Sequence, residues 1–414
     1  MIAKFAMAVL MCASALLTTG CWNKLEISDL AIVSAIGVDK AQDIGEYRVF
    51  FQVANPSAVA SGAAAGGGGG AGAGGKAQTI TVYRGVGASL FDAVRNASKM
   101  SSRRMYLSHV RLVVFGERLA KDGIEELLDY LKRSNEIRLT TNVVIAKGMT
   151  AEALMSVATR FEKIPADAIR GKMKFTSNLF SENIEIQLDD ILKAVMGEGT
   201  EAVINGVELV KRGDKEAESD APKEKERYSP PSTKIGPIGV FKGGKLKLWL
   251  DDGASRGLAW MLNKMKGTVV TVDFREQKES VSLDVLRSKT KVKVDVANDK
   301  PLIDIVIRQE AALINVKSGL DLRNPGLIKE IEASMNRKTR EEIMKTVQIV
   351  KKEKIDFAGF AGKLHRSNRT AWEKLKDRWN EKLSEADVRV TVQSHVRHPG
   401  MNLEPVLSKA TGEQ

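Results

Sequence analysis

The sequence predicts an α+β protein of three domains, with mixed β-sheets flanked by helices, preceded by a lipoprotein signal peptide. Its 414 residues exceed the length of one typical domain. Runs with the two-residue period of strands alternate along the chain with stretches of helical period. Two segments of unusual composition, 62–75 and 211–234, interrupt this alternation. Because 43% of the residues are hydrophobic and 28% are charged, close to the usual globular mixture, the elements between these segments can bury a core.

The first 20 residues have the features of a signal peptide. Lys4 supplies a positive charge, and the apolar run 5–17 has 13 residues, too few to span a bilayer as a stable helix. The segment that follows, 16–21 (LLTTGC), resembles a lipobox, with Thr18 where Leu is usual. We therefore expect cleavage before Cys21 and acylation of its sulfur, so that Cys21 is the lipidation site. The alternative is an ordinary secretory signal in which Cys21 is a chance residue.

The predicted N-terminal domain, 21–210, alternates strands with helices. Its first strand, 30–38, is almost continuously apolar, which is typical of a strand buried on both faces. The tract 62–75 contains only Gly and Ala and follows a predicted strand, so it predicts a long flexible loop within this domain. Further strands are predicted at 47–53, 78–83, 110–115 and 142–146, and helices at 89–100, 117–132, 149–159 and 183–196, the last with Asn183 as its cap.

The segment 211–234 predicts a solvated linker, because 12 of its first 17 residues are charged. A small middle α+β domain is predicted at 235–278, and a C-terminal α+β domain at 279–400, followed by a tail at 401–414. In the C-terminal domain, Asn324 and Pro325 have the residue types of a helix cap and first turn, which predicts a long helix at 325–354. The other elements expected there are a hairpin turning near Ser288, strands at 301–312 and 388–392, and a helix at 370–383.

Composition excludes several classes of protein. The chain has two cysteines, Cys12 and Cys21, and four histidines, too few for a disulfide framework or a Cys/His zinc module. The formal net charge of +12 is spread along the chain, whereas a nucleic-acid reader concentrates basic residues on one element and interleaves aromatics with them. We therefore expect no metal and no nucleic-acid partner, and only a weak attraction to anionic surfaces.

Motifs for catalysis and cofactor binding fail on inspection. The segment 70–77 nearly spells a phosphate-binding loop, but Ala77 occupies the position of the hydroxyl residue that holds Mg²⁺. The adjacent carboxylates of Asp189-Asp190 and of Asp251-Asp252 point apart on a helix or strand, so a shared acid/base role is not expected. No nucleophile elbow occurs. The sequence therefore predicts a protein that is not an enzyme and needs no cofactor.

Short motifs are spread over nearly the whole chain after residue 20. They are GCWN (20–23), EISDLA (26–31), AIGVD (35–39), SRRMYLSH (102–109), GE (116–117), LD (128–129), EIR (136–138), NPGLIK (324–329), WEKLKDRW (372–379) and the strand 388–397. In this order they resemble the Ger(x)C spore germination lipoproteins, the C subunits of the nutrient germinant receptors of endospore-forming bacteria. Besides Thr18, the chain departs from that pattern in the tract 62–75 and in Asn23, where Asp is common.

The resemblance implies a non-enzymatic subunit required for spore germination. It implies lipid anchoring through Cys21 on the outer face of the spore inner membrane, and a complex with integral-membrane receptor subunits of the A and B types. Two other functions remain as alternatives. A solute-binding lipoprotein of an ABC-type importer needs two similar α/β lobes, whereas the segments here are unequal. An envelope hydrolase needs a nucleophile or a pair of carboxylates, and neither pattern is present.

Overall fold

The computed structural model describes residues 1–2, 4–7, 26–41, 46–55, 79–157, 159, 162–210, 232–274, 277–316 and 324–398. Within these ranges the chain forms two β-sheets with helices packed against them, which confirms the predicted α+β fold with mixed sheets. The lipobox, the tract 62–75, the segment 211–231 and the tail 401–414 lie outside the described residues. None of the helices described here is both long enough and apolar enough to cross a membrane.

The first sheet contains nine of the described strands, in the order β3-β2-β1-β5-β6-β7-β8-β9, with the short β4 pairing with β1. The central strands β1, β5, β6 and β7 run parallel, and antiparallel pairs extend the sheet at both ends. The strands are β1 (Leu30–Lys40), β2 (Tyr47–Ala54), β3 (Ile80–Gly87), β4 (Arg104–Tyr106), β5 (Leu112–Gly116), β6 (Asn142–Ala146), β7 (Val203–Val210), β8 (Ser232–Lys242) and β9 (Lys245–Trp249).

Helices cover both faces of this sheet, which explains the continuous apolar runs of its central strands. Neighbouring residues of β5 show the division: Val113 belongs to one hydrophobic core and Val114 to the other, because successive side chains point to opposite faces. Helices α1, α2, α3 and α6 contribute to the first core, and α4 and α5 to the second. Their ranges are α1 (Leu90–Lys99), α2 (Glu117–Asp122), α3 (Glu125–Arg133), α4 (Ala151–Met155), α5 (Pro165–Leu179) and α6 (Leu188–Met196).

The second sheet has the order β10-β11-β12-β13, with β12 and β13 parallel and the other pairs antiparallel. One face packs against helices: Ile303, Ile305 and Ile307 of β12 are buried, while the residues between them face outward. The strands are β10 (Val269–Phe274), β11 (Gln277–Ala297), β12 (Lys300–Val316) and β13 (Asp387–His398). The helices are α7 (Asp252–Met261), α8 (Pro325–Glu353), α9 (Phe360–Ser367), α10 (Arg369–Leu375) and α11 (Trp379–Glu385).

Helix α8 begins where the sequence predicts. The Asn324 side chain accepts a hydrogen bond from the Gly326 backbone N–H at 2.8 Å, and Pro325 occupies the first turn. Ser89 caps α1, a helix that was predicted at 89–100 without a named cap. These starts are predictable because a cap and its helix are adjacent in sequence, so no distant contact decides them.

The predicted hairpin near Ser288 is wrong. β11 is one strand through this position, where Ser288 pairs with Gln309 of β12. The chain reverses instead at Asn298 and Asp299, whose φ angles of 52° and 61° lie in the left-handed region that Asn and Asp tolerate. A β-bulge between Val285 and Arg287 moves the inward-facing positions from odd to even residues just before Ser288, so the change of phase marks a bulge within one strand and not a turn.

The predicted helices differ from the observed ones in their ends and breaks. Asn183 is not a cap: it is buried, and its amide donates to the Met173 carbonyl at 3.0 Å, while Gln187 caps α6. The predicted helix 117–132 is interrupted by Gly123, whose φ of 139° ends α2. A 3₁₀ turn at Lys376–Arg378 likewise separates α10 from α11. Helix α5, which begins with Pro165, was not predicted.

The predicted middle segment, 235–278, does not have a sheet of its own among the described residues. Its strands β8 and β9 continue the first sheet, with Val240 paired to Val203 of β7, and β10 is an edge of the second sheet. Residues 232–234, predicted as the end of the linker, begin β8. The division into three domains stays a prediction.

Candidate functional site

Cys21, the predicted lipidation site, lies outside the described residues, and its acylation stays a prediction. The motif residues from Glu26 onward are described, and for several of them the structure shows what the side chain contacts. They lie at several places in the fold, not around one cleft.

The motif 35–39 fixes β1 against α4. A Cβ on Gly37 would lie 2.4 Å from the Met155 sulfur, so only glycine allows this close approach. The buried carboxylate of Asp39 accepts hydrogen bonds from the backbone N–H groups of Ala151 (2.8 Å) and Glu152 (3.3 Å). Burial raises the pKa of Asp39, and these two donors oppose the rise. Gly37 and Asp39 therefore hold β1 against the start of α4, whose first backbone N–H groups have no partner within the helix.

Gly116, in a second motif, belongs to the same arrangement. A Cβ at this position would lie 1.9 Å from Asp39 Oδ1, so glycine here leaves room for the buried carboxylate. The next residue, Glu117, accepts from the Gly148 N–H at 2.6 Å and pairs with Lys121 at 2.8 Å. Despite the opposing effect of its burial, the Lys121 ammonium and the Gly148 N–H hold the pKa of Glu117 below its usual value.

The motifs 102–109 and 136–138 meet through Glu136. Its carboxylate accepts from the Leu107 N–H at 3.2 Å and lies 3.7 Å from the Arg104 guanidinium. Leu107 and Met105 are buried beneath this contact. The contact fixes β4 and the turn after it to the segment that follows α3.

The motif 372–379 forms the contact between the two sheet regions. Trp372 and Trp379 are both buried, and their rings meet edge to face with centroids 5.5 Å apart. The Trp379 N–H donates to Asp356 Oδ2 at 3.0 Å, and the Trp372 N–H donates to Glu198 Oε2 at 2.9 Å. Glu198 follows α6 of the first region, so the second bond crosses between the regions. We call Glu198, Gly199, Asp356, Trp372 and Trp379 the tryptophan junction.

Asp356 is the fully buried centre of this junction. Its carboxylate also accepts from the backbone N–H groups of Phe360 (3.0 Å) and Ala361 (2.6 Å), at the start of α9. Its own backbone carbonyl accepts from the Glu201 N–H at 2.9 Å. Burial raises the pKa of Asp356, and the donors around it oppose the rise.

Gly199 completes the junction from the side of the first sheet. Its φ of 73° is in the left-handed region, and a Cβ would lie 2.6 Å from the Trp372 ring. Both its conformation and its contact therefore require glycine. The sequence does not indicate that this glycine contacts a tryptophan 173 positions later, because the loop that contains it has no periodic pattern of apolar residues.

A second contact between elements centres on Arg256 of α7, which no sequence motif indicates. Its guanidinium lies 2.6 Å from Glu342 of α8 and 3.4 Å from Glu182. Burial works against the charged guanidinium, but Glu342 and the other neighbouring carboxylates leave the pKa of Arg256 raised. The Thr346 hydroxyl also donates to the Ala254 carbonyl at 2.9 Å, which holds α8 against α7. We call Arg256, Glu182 and Glu342 the arginine junction.

These arrangements suit structural support better than catalysis. The paired carboxylates predicted to act separately do so: Asp251 caps α7 through the Ala254 N–H at 2.8 Å, and Asp189 pairs with Lys193 at 2.5 Å. In the part of the chain that the structure describes, no group of three or more His, Cys, Asp or Glu side chains is placed to hold a metal ion. Within the two junctions the polar groups pair with each other, and none of them is arranged as an activated nucleophile.

Asp356→Asn should become more stable relative to the wild type as the pH rises. Because the pKa of Asp356 is raised by folding, the unfolded chain ionises first, from its ordinary pKa of about 3.9 upward. The wild type therefore loses stability with rising pH until the pH passes the raised value, whereas asparagine has no charge to bury. Urea unfolding at about pH 4, 6 and 8 measures the difference, with the exposed Asp377→Asn as control. A constant difference, or one that grows in favour of the wild type, would contradict the expectation.

Comparison with known proteins assigns both regions to families. Residues 23–209 match the family described as spore germination protein N-terminal domain. Residues 237–400 match the family described as spore germination B3/GerAC like, C-terminal. Among curated proteins, the chain is 35% identical over 411 residues to spore germination protein KC of Bacillus subtilis (strain 168), covering 98% of each chain. It is 28% identical over 394 residues to the putative spore germination protein YfkR of the same organism, covering 94% of each.

A solved structure supports the fold independently. The crystal structure of the GerBC protein superposes with a TM-score of 0.54, covering 88% of this chain and 97% of that one. The sequences share 16% identity in this alignment, so the likeness concerns the fold.

Proposed function

This chain belongs to the Ger(x)C family of spore germination proteins, and we propose that it is a non-enzymatic, lipid-anchored subunit of a nutrient germinant receptor complex. Its partners in this proposal are the integral-membrane subunits of the A and B types. Its place is the outer face of the spore inner membrane, with Cys21 as the acylated residue.

The observation that carries the proposal is the similarity to spore germination protein KC, which extends over 98% of both chains. An alignment of this extent covers both sheet regions. Acidic side chains of two motifs and of the tryptophan junction are engaged within the fold, which argues against their use as acid/base groups. Asp39, Glu136 and Asp356 each hold backbone N–H groups in the fold, so their carboxylates are already engaged.

The geometry favours this function over an importer's solute-binding lipoprotein. That class needs two similar lobes around a cleft. Here the described strands form one sheet of nine and one of four, with different orders, and buried tryptophans fill the contact between the regions.

The test is affinity capture of the full chain from detergent-solubilised spore membranes, combined with loss of the gene. We expect two integral-membrane proteins to be recovered with the chain. Spores without the chain should fail to germinate in response to a nutrient but still respond to a non-nutrient trigger. Recovery of a permease and an ATPase, or normal nutrient germination without the chain, would contradict the proposal.

Cys21→Ala should release the protein from the membrane. Two acyl chains are expected on a lipobox cysteine, and since one myristoyl chain gives only about 10⁴ M⁻¹, the second converts reversible binding into lasting attachment. Because the uncleaved apolar segment could still tether the variant, the test uses a cleavable secretory signal placed directly before Trp22. Spore membranes are washed in high salt, which screens the attraction of the basic chain to anionic lipid. Recovery equal to that of the wild type would show that protein contacts hold this subunit in place.

A further inference from the structure

The outward face of the second sheet is left uncovered by the described elements. Helices α8, α9 and α11 all pack against the inward face, where alternate residues of β12 and β13 such as Ile305 and Val390 are buried. Because side chains alternate along a strand, the residues between them point away from these helices. Nothing in the described part of the chain lies over them.

The centre of this outward face is strongly cationic. On β11 the side chains of Lys289, Lys291 and Lys293 are exposed in a row, spaced by about 7 Å since alternate strand residues share a face. The register places Lys289 beside Arg308 of β12, and Arg389 of β13 lies on the far side of β12. The side chains line a shallow groove of about 480 Å³. We define the basic face as Lys289, Lys291, Lys293, Arg308 and Arg389.

These cations are poorly compensated. Asp304, between Lys293 and Arg389 in the register, is the one acidic side chain that lines the groove. Among the described residues, none of the three lysines of the basic face, nor Arg389, has a carboxylate within 4 Å to form an ion pair. Nearer the end of the same face, by contrast, Arg397 pairs with Glu310 at 2.9 Å.

A cluster of like charges does not stabilise the folded protein. Like charges on neighbouring strands repel each other, so the sheet would be more stable with polar residues in their place. An external anion that accompanies the folded protein removes this repulsion. The groove is shallow and open to solvent, and three of the five cations are lysines, which act as point charges on flexible stems. Such a surface suits a plane of negative charges better than one ligand of defined shape.

We propose that the basic face binds the headgroups of anionic phospholipids and holds the second sheet flat on the membrane. The proposal rests on the proposed function only in placing the protein beside a membrane. The binding itself is a property of this chain and is measured without receptor subunits, so its failure would leave the receptor role standing. Attraction of this kind acts at short range and weakens with salt, since the Debye length is about 8 Å at physiological ionic strength.

The test compares full-length proteins on vesicles of phosphatidylcholine alone and of phosphatidylcholine with about one third phosphatidylglycerol. The N-terminal apolar segment is the same in all of them, so the binding that phosphatidylglycerol adds isolates the electrostatic contribution. We expect the wild type to gain binding with phosphatidylglycerol and to lose that gain in about 0.5 M salt. Lys289→Gln/Lys291→Gln/Lys293→Gln should weaken the added binding on the order of 10- to 100-fold.

Two matched variants separate this surface from net charge and from folding. Lys132→Gln/Lys174→Gln/Lys338→Gln removes three exposed lysines from α3, α5 and α8 and should bind nearly as the wild type does. Replacing the three lysines of the basic face by arginine keeps the charge and should also preserve binding. Equal losses in both glutamine variants would overturn the proposal in favour of net charge. A glutamine variant of the basic face that binds vesicles normally, but no longer binds poly-glutamate, would overturn it in favour of an acidic protein partner.

Discussion

Trp379→Ala should lower the free energy of unfolding by about 3–5 kcal/mol, the range for truncating a buried tryptophan. Its side chain is 2% exposed and packs edge to face against Trp372. Removal leaves a cavity between the two sheet regions. It also removes the indole donor from Asp356, which is fully buried and has its pKa raised by that burial. Urea unfolding followed by far-UV circular dichroism measures the loss without relying on tryptophan fluorescence.

Two further variants divide this loss between packing and hydrogen bonding. Trp379→Phe keeps an aromatic ring but no N–H, so it should cost less than alanine, about 1.5–3 kcal/mol for a bond to a charged group. Phe175→Ala is the control, because this aromatic side chain is 59% exposed on α5 and should change stability by about 0.5 kcal/mol or less. If Trp379→Ala is no more destabilising than this control, the tryptophan junction does not support the fold.

The tryptophan junction shows how far sequence predicts such a site. Trp372 and Trp379 are seven positions apart in a predicted helix, which places them on one face, and both do point into the core. The burial of this face was not among the predictions. The partners of the two tryptophans could not be predicted, because Glu198 is separated from Trp372 by 174 positions and Asp356 is in a segment without a periodic pattern.

The distinction between near and distant partners also explains which parts of the fold were predicted correctly and which were not. Asn324 was predicted as a cap because the backbone N–H group that it binds is only two residues away. Asn183 failed as a cap because its amide instead bonds to the Met173 carbonyl of α5, a helix that the pattern did not indicate. The start of strand β8 was assigned to the charged linker, because the charged segment lies directly before it. Its pairing with β7 depends on distant residues such as Val203. Contacts between residues close in sequence can be predicted from the residue types, whereas contacts between distant segments are decided by packing.

Arg256→Met should cost about 3–5 kcal/mol of unfolding free energy, the range for removing one partner of a buried ion pair. The Arg256 side chain is 21% exposed and that of Glu342 is 10% exposed, so water compensates the orphaned carboxylate poorly. Glu182 adds to the loss, because the guanidinium also lies 3.4 Å from its carboxylate. Methionine keeps much of the volume of the arginine stem, which limits the cavity and leaves the missing charge as the main change.

The cause of this loss can be tested by restoring charge balance. Arg256→Met/Glu342→Met should recover most of the lost stability, since replacing both partners of a buried pair by apolar residues is often neutral. The single variant should also recover as the pH falls from about 7 to 5. Burial raises the pKa of Glu182 and the Arg256 guanidinium opposes that rise, so removing the guanidinium raises this pKa further, and a carboxyl with a raised folded pKa favours folding at pH values below it.

Arg133→Met provides the matched control. Arg133 also pairs with a carboxylate, Asp129 at 2.8 Å, but both side chains are mostly exposed, at 78% and 58%. Solvent screens this pair, so its loss should leave stability unchanged within error. If the double variant at the arginine junction is as unstable as the single one, then the methylene packing of Arg256 matters more than its charge. In that case the Arg256 stem holds α7 against α8 by packing, together with the close contact of Gly257 with Glu342 and Thr346, where a Cβ would lie 2.1 Å from the threonine hydroxyl.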